Sequence, residues 1–362
     1  MKGALGRLGK YTAVRLVFLF LAVLVAVYAT VLIANMGGEL DRIVEVQIRH
    51  EVGVAIAMNP EWQRLSWEEQ EALAAQMIET QLRRRGMDEP FFPNRSLKFL
   101  RDAMTLQLGR ARLIKSDSHS FEVKNILLER LPSTLLLFAT AELLLFFITL
   151  FMALFLSRRY GSFLDRVFIA LAPTSAAPGW FYGIFLILIF AALFRILPWG
   201  GMAPPGTQPA FTLGFIGTLA KHMTLPVTAI IISAVFAGVY SSRTFFLIYS
   251  TEDHVELAKA KGLSSRAVER RYILRPTMPP IITGFLLLLI SMWMGQIVLE
   301  TVFNWPGLGQ VYYQAIVMNE TAVIVGVIVI YGYLLCATVF LLDFIYAILD
   351  PRVRVGAGGG GR

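Results

Sequence analysis

The sequence predicts an all-α membrane protein with six transmembrane helices, both termini in the cytoplasm, and a small helical external domain between spans 1 and 2. Three observations carry that prediction. Of 362 residues, 56% are hydrophobic and 16% charged, where a soluble domain carries about 25% charged residues. A chain of this length has too little core to hide so much apolar surface, so the excess faces lipid. Apolar runs occupy residues 14–34, 133–156, 167–194, 223–242, 279–299 and 321–349, each long enough to cross a hydrocarbon core that takes roughly 20 residues. The charge also divides by side. Residues 1–15, 157–166, 243–278 and 350–362 hold 17 Lys/Arg and 6 Asp/Glu, a net +11, whereas 35–132, 195–222 and 301–320 hold 16 of each. By the positive-inside rule the first group is cytoplasmic.

The same composition excludes several classes. The net charge of +8 sits in segments beside spans, so it is an orientation signal rather than a nucleic-acid footprint. So apolar a chain is not intrinsically disordered. Its one cysteine, Cys336, lies inside an apolar run, which excludes a disulfide framework and cysteine-ligated zinc or iron–sulfur sites. His50, His119, His222 and His254 share no ligand spacing, so no metal site is expected.

Taken in order, residues 1–13 are read as a cytoplasmic tail and 14–34 as the first span. That run is longer than the 7–15-residue apolar stretch of a signal peptide and has no small-residue cleavage site, so it is read as an uncleaved anchor. In the external segment 35–131, Ser66 with Glu69 three residues on makes a capping box for a helix from Trp67 to Arg85, ended by Gly86. Leu73, Met77 and Leu82 lie near one face of it, as suits a helix packed on a small domain. A second helical run, 96–108, follows the turn-like Asp88-Glu89-Pro90.

The remaining residues, 132–350, form a core of five spans. Glu142 lies well inside the second span, and an intramembrane carboxylate is read by default as functional; the alternative is a neutral or internally hydrogen-bonded glutamate. Pro173 and Pro178 break the start of the third, which a bilayer tolerates only where freed carbonyls find partners in protein. Segment 195–222, rich in proline and glycine, reads as irregular external chain, either a simple linker or a rim or gate. In the cytoplasmic loop 249–278, Ser250 and Thr251 cap a helix bearing Glu252 and Asp253 in its first turn. Gly262 ends that helix, Ser264 or Ser265 caps a second, and Pro276 stops it. Two short helices joined to two spans make a rigid knob. Trp305-Pro306-Gly307 reads as an external re-entrant turn whose Trp anchors at the interface, a gate or a structural corner. Residues 351–362 form a glycine-rich cytoplasmic tail.

Within the knob runs Glu256-Leu257-Ala258, three residues, then Gly262. Here the sequence resembles the membrane-spanning permease subunits of ATP-binding-cassette importers, whose cytoplasmic loop carries Glu-Ala-Ala, three residues, Gly. The stretch from Ala258 to Leu263, Glu300-Thr301-Val302-Phe303-Asn304-Trp305-Pro306-Gly307-Leu308-Gly309, and the ending from Asp343 to Arg352 are similar to the dipeptide/oligopeptide (peptide/nickel) branch. Gly86-Met87-Asp88-Glu89-Pro90 and Leu197-Pro198 with Gly201 are similar to it as well. Leu257 departs from the loop motif, Leu106-Gln107-Leu108-Gly109 stands where Gly-Asp-Leu-Gly is usual, Tyr272 stands where a histidine is common, and Pro276 is additional.

The resemblance implies the type I importer permease fold in a bacterial or archaeal cell membrane. It implies that Glu256, Leu257, Ala258, Lys259, Ala260, Lys261 and Gly262 form the helix that fits a groove on a cytoplasmic ATPase. It also implies a second, homologous permease subunit, two ATPase subunits and an external substrate-binding protein as partners. Imported solutes would be di- or oligopeptides, with nickel complexes or oligosaccharides as alternatives. No Gly-x4-Gly-Lys-Ser/Thr motif occurs, so ATP and magnesium would be bound by the partners and this chain would not itself be an enzyme. A stand-alone secondary transporter would need ionisable groups at matched positions in two halves, and Glu142 and Asp343 are unmatched. A membrane receptor or scaffold leaves the knob unexplained.

Overall fold

The computed structural model describes residues 2–36, 38–84, 86–207, 212–294 and 296–349. Fourteen α-helices run through them, and among the described residues the one β pairing is an isolated bridge between Arg110 and Glu122. The chain divides into two compact units, residues 1–131 with 311–362, and residues 132–310.

In the first unit, α1 (Lys2–Asn35) continues through most of the expected N-terminal tail. Val23, Val27 and Val31 recur at the helical spacing of four and are buried, while Val17, Phe18 and Val25 point outward, 58–64% exposed. That stripe packs on Leu100 and Ala103 of α4 (Ser96–Met104) and on Val325 and Val329 of α14 (Thr321–Leu349). Between α1 and α4 lie α2 (Glu39–Met58) and α3 (Trp67–Arg84). The segment expected to be an external cap therefore shares its core with α1 and α14. Tyr28 Oη meets Ser96 Oγ at 3.0 Å, and Tyr333 Oη donates to Met104 O at 2.6 Å.

The capping box forms as expected: Ser66 N donates to the Glu69 carboxylate at 2.9 Å, and Glu69 N to Ser66 Oγ at 3.4 Å. Gly86, with φ +72°, closes α3 by a reversal in which Gly86 N bonds Arg83 O and Met87 N bonds Leu82 O. The helix expected over 96–108 stops at Met104. Leu106 takes φ +57° there and Gln107 N turns back to Asp102 O, a helix-ending motif formed without glycine.

The second unit holds the rest of α5 (Val123–Arg158), then α6 (Phe163–Leu171), α7 (Gly179–Leu186) and α8 (Leu213–Ser250). The expected break at Pro173 and Pro178 is present: the two helical arms there meet at 101°. The helix of the fourth run begins at Leu213 rather than 223, because Thr212 Oγ1 caps it by accepting from Phe215 N. Then come α9 (Asp253–Ala260), α10 (Ser265–Val268), α11 (Arg275–Met294), α12 (Ile297–Val302) and the start of α13 (Leu308–Val317). The fifth run, 279–299, is thus not one helix, since Gln296 is extended between α11 and α12.

Among the described residues, four helical stretches are long and apolar enough to cross a membrane: Thr12–Asn35, Val123–Arg158, Leu213–Ser250 and Thr321–Leu342. The bent pair from Phe163 to Leu193 makes a fifth if it counts as one span. The expected C-terminal tail, 351–362, lies outside the described residues.

Candidate functional site

The knob is built from its apolar side. Val255 and Ala258 of α9 and Val268 of α10 are buried together, with Leu263, Tyr272 and Ile273 packed against them. The spacing of Val255 and Ala258 puts both on one face of α9, so Glu256, Leu257, Lys259 and Ala260 are left on the exposed side. Leu257 is 56% exposed, an apolar side chain turned to the outside of a helix whose inner face is already filled.

Gly262 makes the reversal. Its φ is +76°, Gly262 N bonds Lys259 O at 2.9 Å, and Leu263 N reaches back to Ala258 O at 3.4 Å. Both bonds of a Schellman motif are present, together with its apolar contact from Leu263 to the helix. A Cβ at Gly262 would meet no atom within 4 Å, so backbone conformation alone requires glycine there. Ser264 then caps α10 by accepting from Ala267 N. A bond between His254 Nε2 and Tyr272 O, 3.0 Å, holds α9 to the chain beyond α10, and Glu269 pairs with Arg158 at the end of α5 at 3.5 Å.

Two expectations for the knob need correction. Ser250 and Thr251 do not cap α9: their hydroxyls donate back to Leu247 O and Ile248 O and close α8, leaving Glu252 in the cap position with no side-chain bond. Pro276 does not stop the second helix. The chain passes from α10 through a π-helical turn, Glu269–Leu274, into α11 without a break, and the Tyr272 carbonyl, four residues before Pro276, is bonded by His254 Nε2 in place of the donor that proline lacks.

Trp305-Pro306-Gly307 is a buried corner. Trp305 is 0% exposed, and its Nε1 donates to Ser133 O at 2.9 Å, so it is not an interfacial anchor. The corner is folded around Glu300, also fully buried. Its carboxylate accepts from Thr134 Oγ1 at 2.9 Å and from Gln310 N at 3.0 Å, while Thr134 Oγ1 accepts from Leu308 N at 2.7 Å. Asn304, at φ +46°, ends α12 and lets Trp305 N bond Glu300 O at 2.7 Å. Gly307 is required by space: a Cβ there would stand 2.5 Å from Thr134 Oγ1 and 2.6 Å from the Glu300 carboxyl carbon. Glu142 is half-buried on α5 and takes no part in this corner.

Sequence reasoning offered a structural corner at Trp305-Pro306-Gly307 as one alternative but missed Glu300 at its centre, and it missed a second polar lock, in which Asp165 and Arg243 pair in bidentate fashion at 2.6 and 2.7 Å, 2% and 8% exposed. The signal for the first was present in Glu300 and Gly307 standing together in a Gly/Pro turn, but its acceptor geometry depends on Thr134, far off in sequence.

The match to known families runs over residues 146–355, from α5 through the knob and the Glu300 corner, and is to the binding-protein-dependent transport system inner membrane component. The chain belongs to that family. It is therefore the permease component of an ATP-binding-cassette importer, a membrane protein whose apolar helices supply the spans. It is similar to the dipeptide transport system permease protein of Bacillus subtilis strain 168, 28% identical over 72% of this chain and 79% of the relative. An oligopeptide transport system permease protein of the same organism is 29% identical over 64% of this chain and 72% of its own length. The di/tripeptide transport system permease protein of Pseudomonas aeruginosa UCBPP-PA14 is 27% identical over 77% and 85%.

Proposed function

We propose that this permease forms half of a translocation pathway for di- or oligopeptides, paired with a second permease subunit and driven by two cytoplasmic ATPases through the knob. The observation that carries the reading is the division of α9 into a clamped face, Val255 and Ala258, and an exposed one, Glu256, Leu257, Lys259 and Ala260. A lever must be rigid towards its own spans and open towards its motor, and α9 meets both needs. Leu257 offers an apolar anchor, Glu256 a charge for pairing, and Gly262 a sharp exit that leaves the helix end clear.

In this reading six spans cross the membrane with both termini inside. Closure of the ATPases on ATP and magnesium, bound by those partners, pushes α9 and so shifts α8 and α11, to which it is joined at both ends. The peptide class is supported by the names of the relatives above, and an external binding protein by the family description.

Replacing Gly262 with valine in the reconstituted complex tests this. A β-branched residue at φ +76° costs roughly 1–2 kcal/mol of backbone strain, with no side-chain clash, and should reshape the helix exit. Substrate-stimulated ATP hydrolysis and peptide uptake are expected to fall together. Unchanged coupling in the valine variant would overturn the reading.

A further inference from the structure

Asp165 and Arg243 form a buried ion pair that the transport reading leaves unused. Oδ1 of Asp165 accepts from Arg243 Nε at 2.7 Å, and Oδ2 accepts from Arg243 Nη2 at 2.6 Å and from Gly161 N at 2.9 Å. The Tyr160 ring covers the guanidinium at 4.9 Å. Replacing such a pair by apolar side chains is often neutral or stabilising, so stability alone does not account for it. What the pair supplies is direction, because a planar fork held against a carboxylate fixes one helix at one position along another.

The apolar contacts around α6 and α8 differ in kind. Leu156, Val235 and Val239 cluster with Phe168 and Phe236, whose rings lie 5.3 Å apart. Packed apolar ridges resist separation but let helices slide by about 1–2 Å, as they do in shear motions. A slide of that size breaks a fork whose bonds are 2.6 and 2.7 Å long, since both must stay in line.

The pair also stands between the knob and the bend. Arg243 lies about 10 Å of helix before the end of α8 at Ser250, and α9 starts at Asp253. Asp165 lies on α6, in the arm that meets α7 at 101°. α7 in turn rests on the end of α12: a Cβ at Gly183 would stand 2.7 Å from the Phe303 ring. All of these elements belong to the second unit.

We propose that Asp165 and Arg243 are positioning residues for transport: their pair makes α6 follow α8 when the ATPases move the knob, so that the bent arm and α7 move with it. The inference rests on the ATPases driving the knob, as proposed above.

The test uses the complex reconstituted in liposomes with its binding protein, and the variant Asp165→Leu/Arg243→Met, which removes both charges and fills their space with apolar atoms. ATPase subunits recovered with the permease, the thermal midpoint, and labelled alanine di-, tri- and tetrapeptides taken up per ATP hydrolysed are measured together. Recovery and midpoint should stay close to the parent's. Uptake per ATP should fall on the order of tenfold, within the range by which residues along such a path alter coupling. A merely structural pair would leave uptake per ATP unchanged in whatever complex assembles. Arg243→Lys keeps the charge but not the fork; its uptake per ATP should fall by less, and it decides the matter if the double variant does not assemble.

Parent-like uptake per ATP in the double variant, or in Arg243→Lys where the double variant does not assemble, would overturn the proposal. Gly262→Val, measured alongside, keeps the two readings apart. Lost coupling there with parent-like uptake per ATP in the double variant removes the pair and keeps the knob, whereas parent-like coupling in Gly262→Val removes the knob and this proposal with it.

Discussion

Thr134 and Glu300 share a 2.9 Å hydrogen bond in which the threonine hydroxyl donates to a fully buried carboxylate, and that same hydroxyl accepts from Leu308 N at 2.7 Å. Thr134 thus stands between an acceptor and a donor that have no water to turn to. It also joins the beginning of one long helix to a Gly/Pro turn far along the chain.

Removing the hydroxyl while keeping the shape should be costly. Thr134→Val leaves Leu308 N unpaired and takes a donor from the Glu300 carboxylate. The expected loss is about 2–4 kcal/mol, the sum of two buried unsatisfied groups. A lowered thermal midpoint, followed by Trp305 fluorescence in detergent, checks it; a midpoint within a degree of the parent would contradict the corner as described.

Gly307→Ala should be harsher, because the added methyl falls 2.5 Å from Thr134 Oγ1 and 2.6 Å from the Glu300 carboxyl carbon. Neither neighbour is the free end of a flexible chain. Gly284, on α11, has no atom within 4 Å of its would-be Cβ, and Gly284→Ala should be neutral or stabilising by several tenths of a kcal/mol. Expression and monodispersity of the two variants, compared side by side, separate clash from a general intolerance of alanine.

The Asp165–Arg243 pair joins α6 to α8, and Asp165 also accepts from Gly161 N at 2.9 Å while Arg243 lies 4.9 Å over the Tyr160 ring. Asp165→Asn should destabilise by about 3–5 kcal/mol, because it leaves a buried guanidinium without its counter-charge. Asp165→Leu combined with Arg243→Met should recover much of that loss. A double-mutant cycle of unfolding midpoints measures the coupling, and additive losses would mean that the two charges act separately.

The capping box gives a pH signature. The Ser66 backbone N–H and hydroxyl hold the Glu69 carboxyl below its ordinary value of 4.5. A carboxylate with a depressed folded-state pKa stabilises above its unfolded pKa and loses that contribution as pH falls through the folded value. The first turn of α3 should therefore be better protected from hydrogen exchange than in Glu69→Gln at neutral pH. That advantage should fade below about pH 4. Equal protection of the two proteins across the range would remove the carboxylate from the cap.

What the sequence made legible is what local spacing determines. The apolar runs, the Ser66–Glu69 box and the reversal at Gly262 each depend on residues within a few positions of one another, so period and composition suffice. Glu300, Trp305 and Asp165 were not legible in this way. Their roles depend on Thr134, Ser133 and Arg243, which lie 78 to 172 residues away, and a tryptophan beside proline and glycine looks alike whether it faces lipid or protein. The start of α9 was misread for a third reason: the hydroxyls of Ser250 and Thr251 had competing local acceptors in the preceding turn of α8, and those won.

The knob allows docking and folding to be separated on one short helix. Leu257 is 56% exposed and packs on nothing that α9 needs, whereas Ala258, the next residue, is 2% exposed against Val255 and Val268. Leu257→Asp should leave the thermal midpoint within about 0.5 kcal/mol of the parent, as surface changes do. It should still reduce ATPase subunits recovered with the permease by tenfold or more, because an anchor in an interface centre is worth about 2 kcal/mol or above. Ala258→Leu should do the reverse in order of cause: overpacking the cluster costs about 1–3 kcal/mol, the midpoint falls, and subunit recovery falls only as the knob loosens. Co-purification and thermal midpoint measured on both variants distinguish the two. If Leu257→Asp binds the ATPases as the parent does, the exposed face of α9 is not where the motor docks.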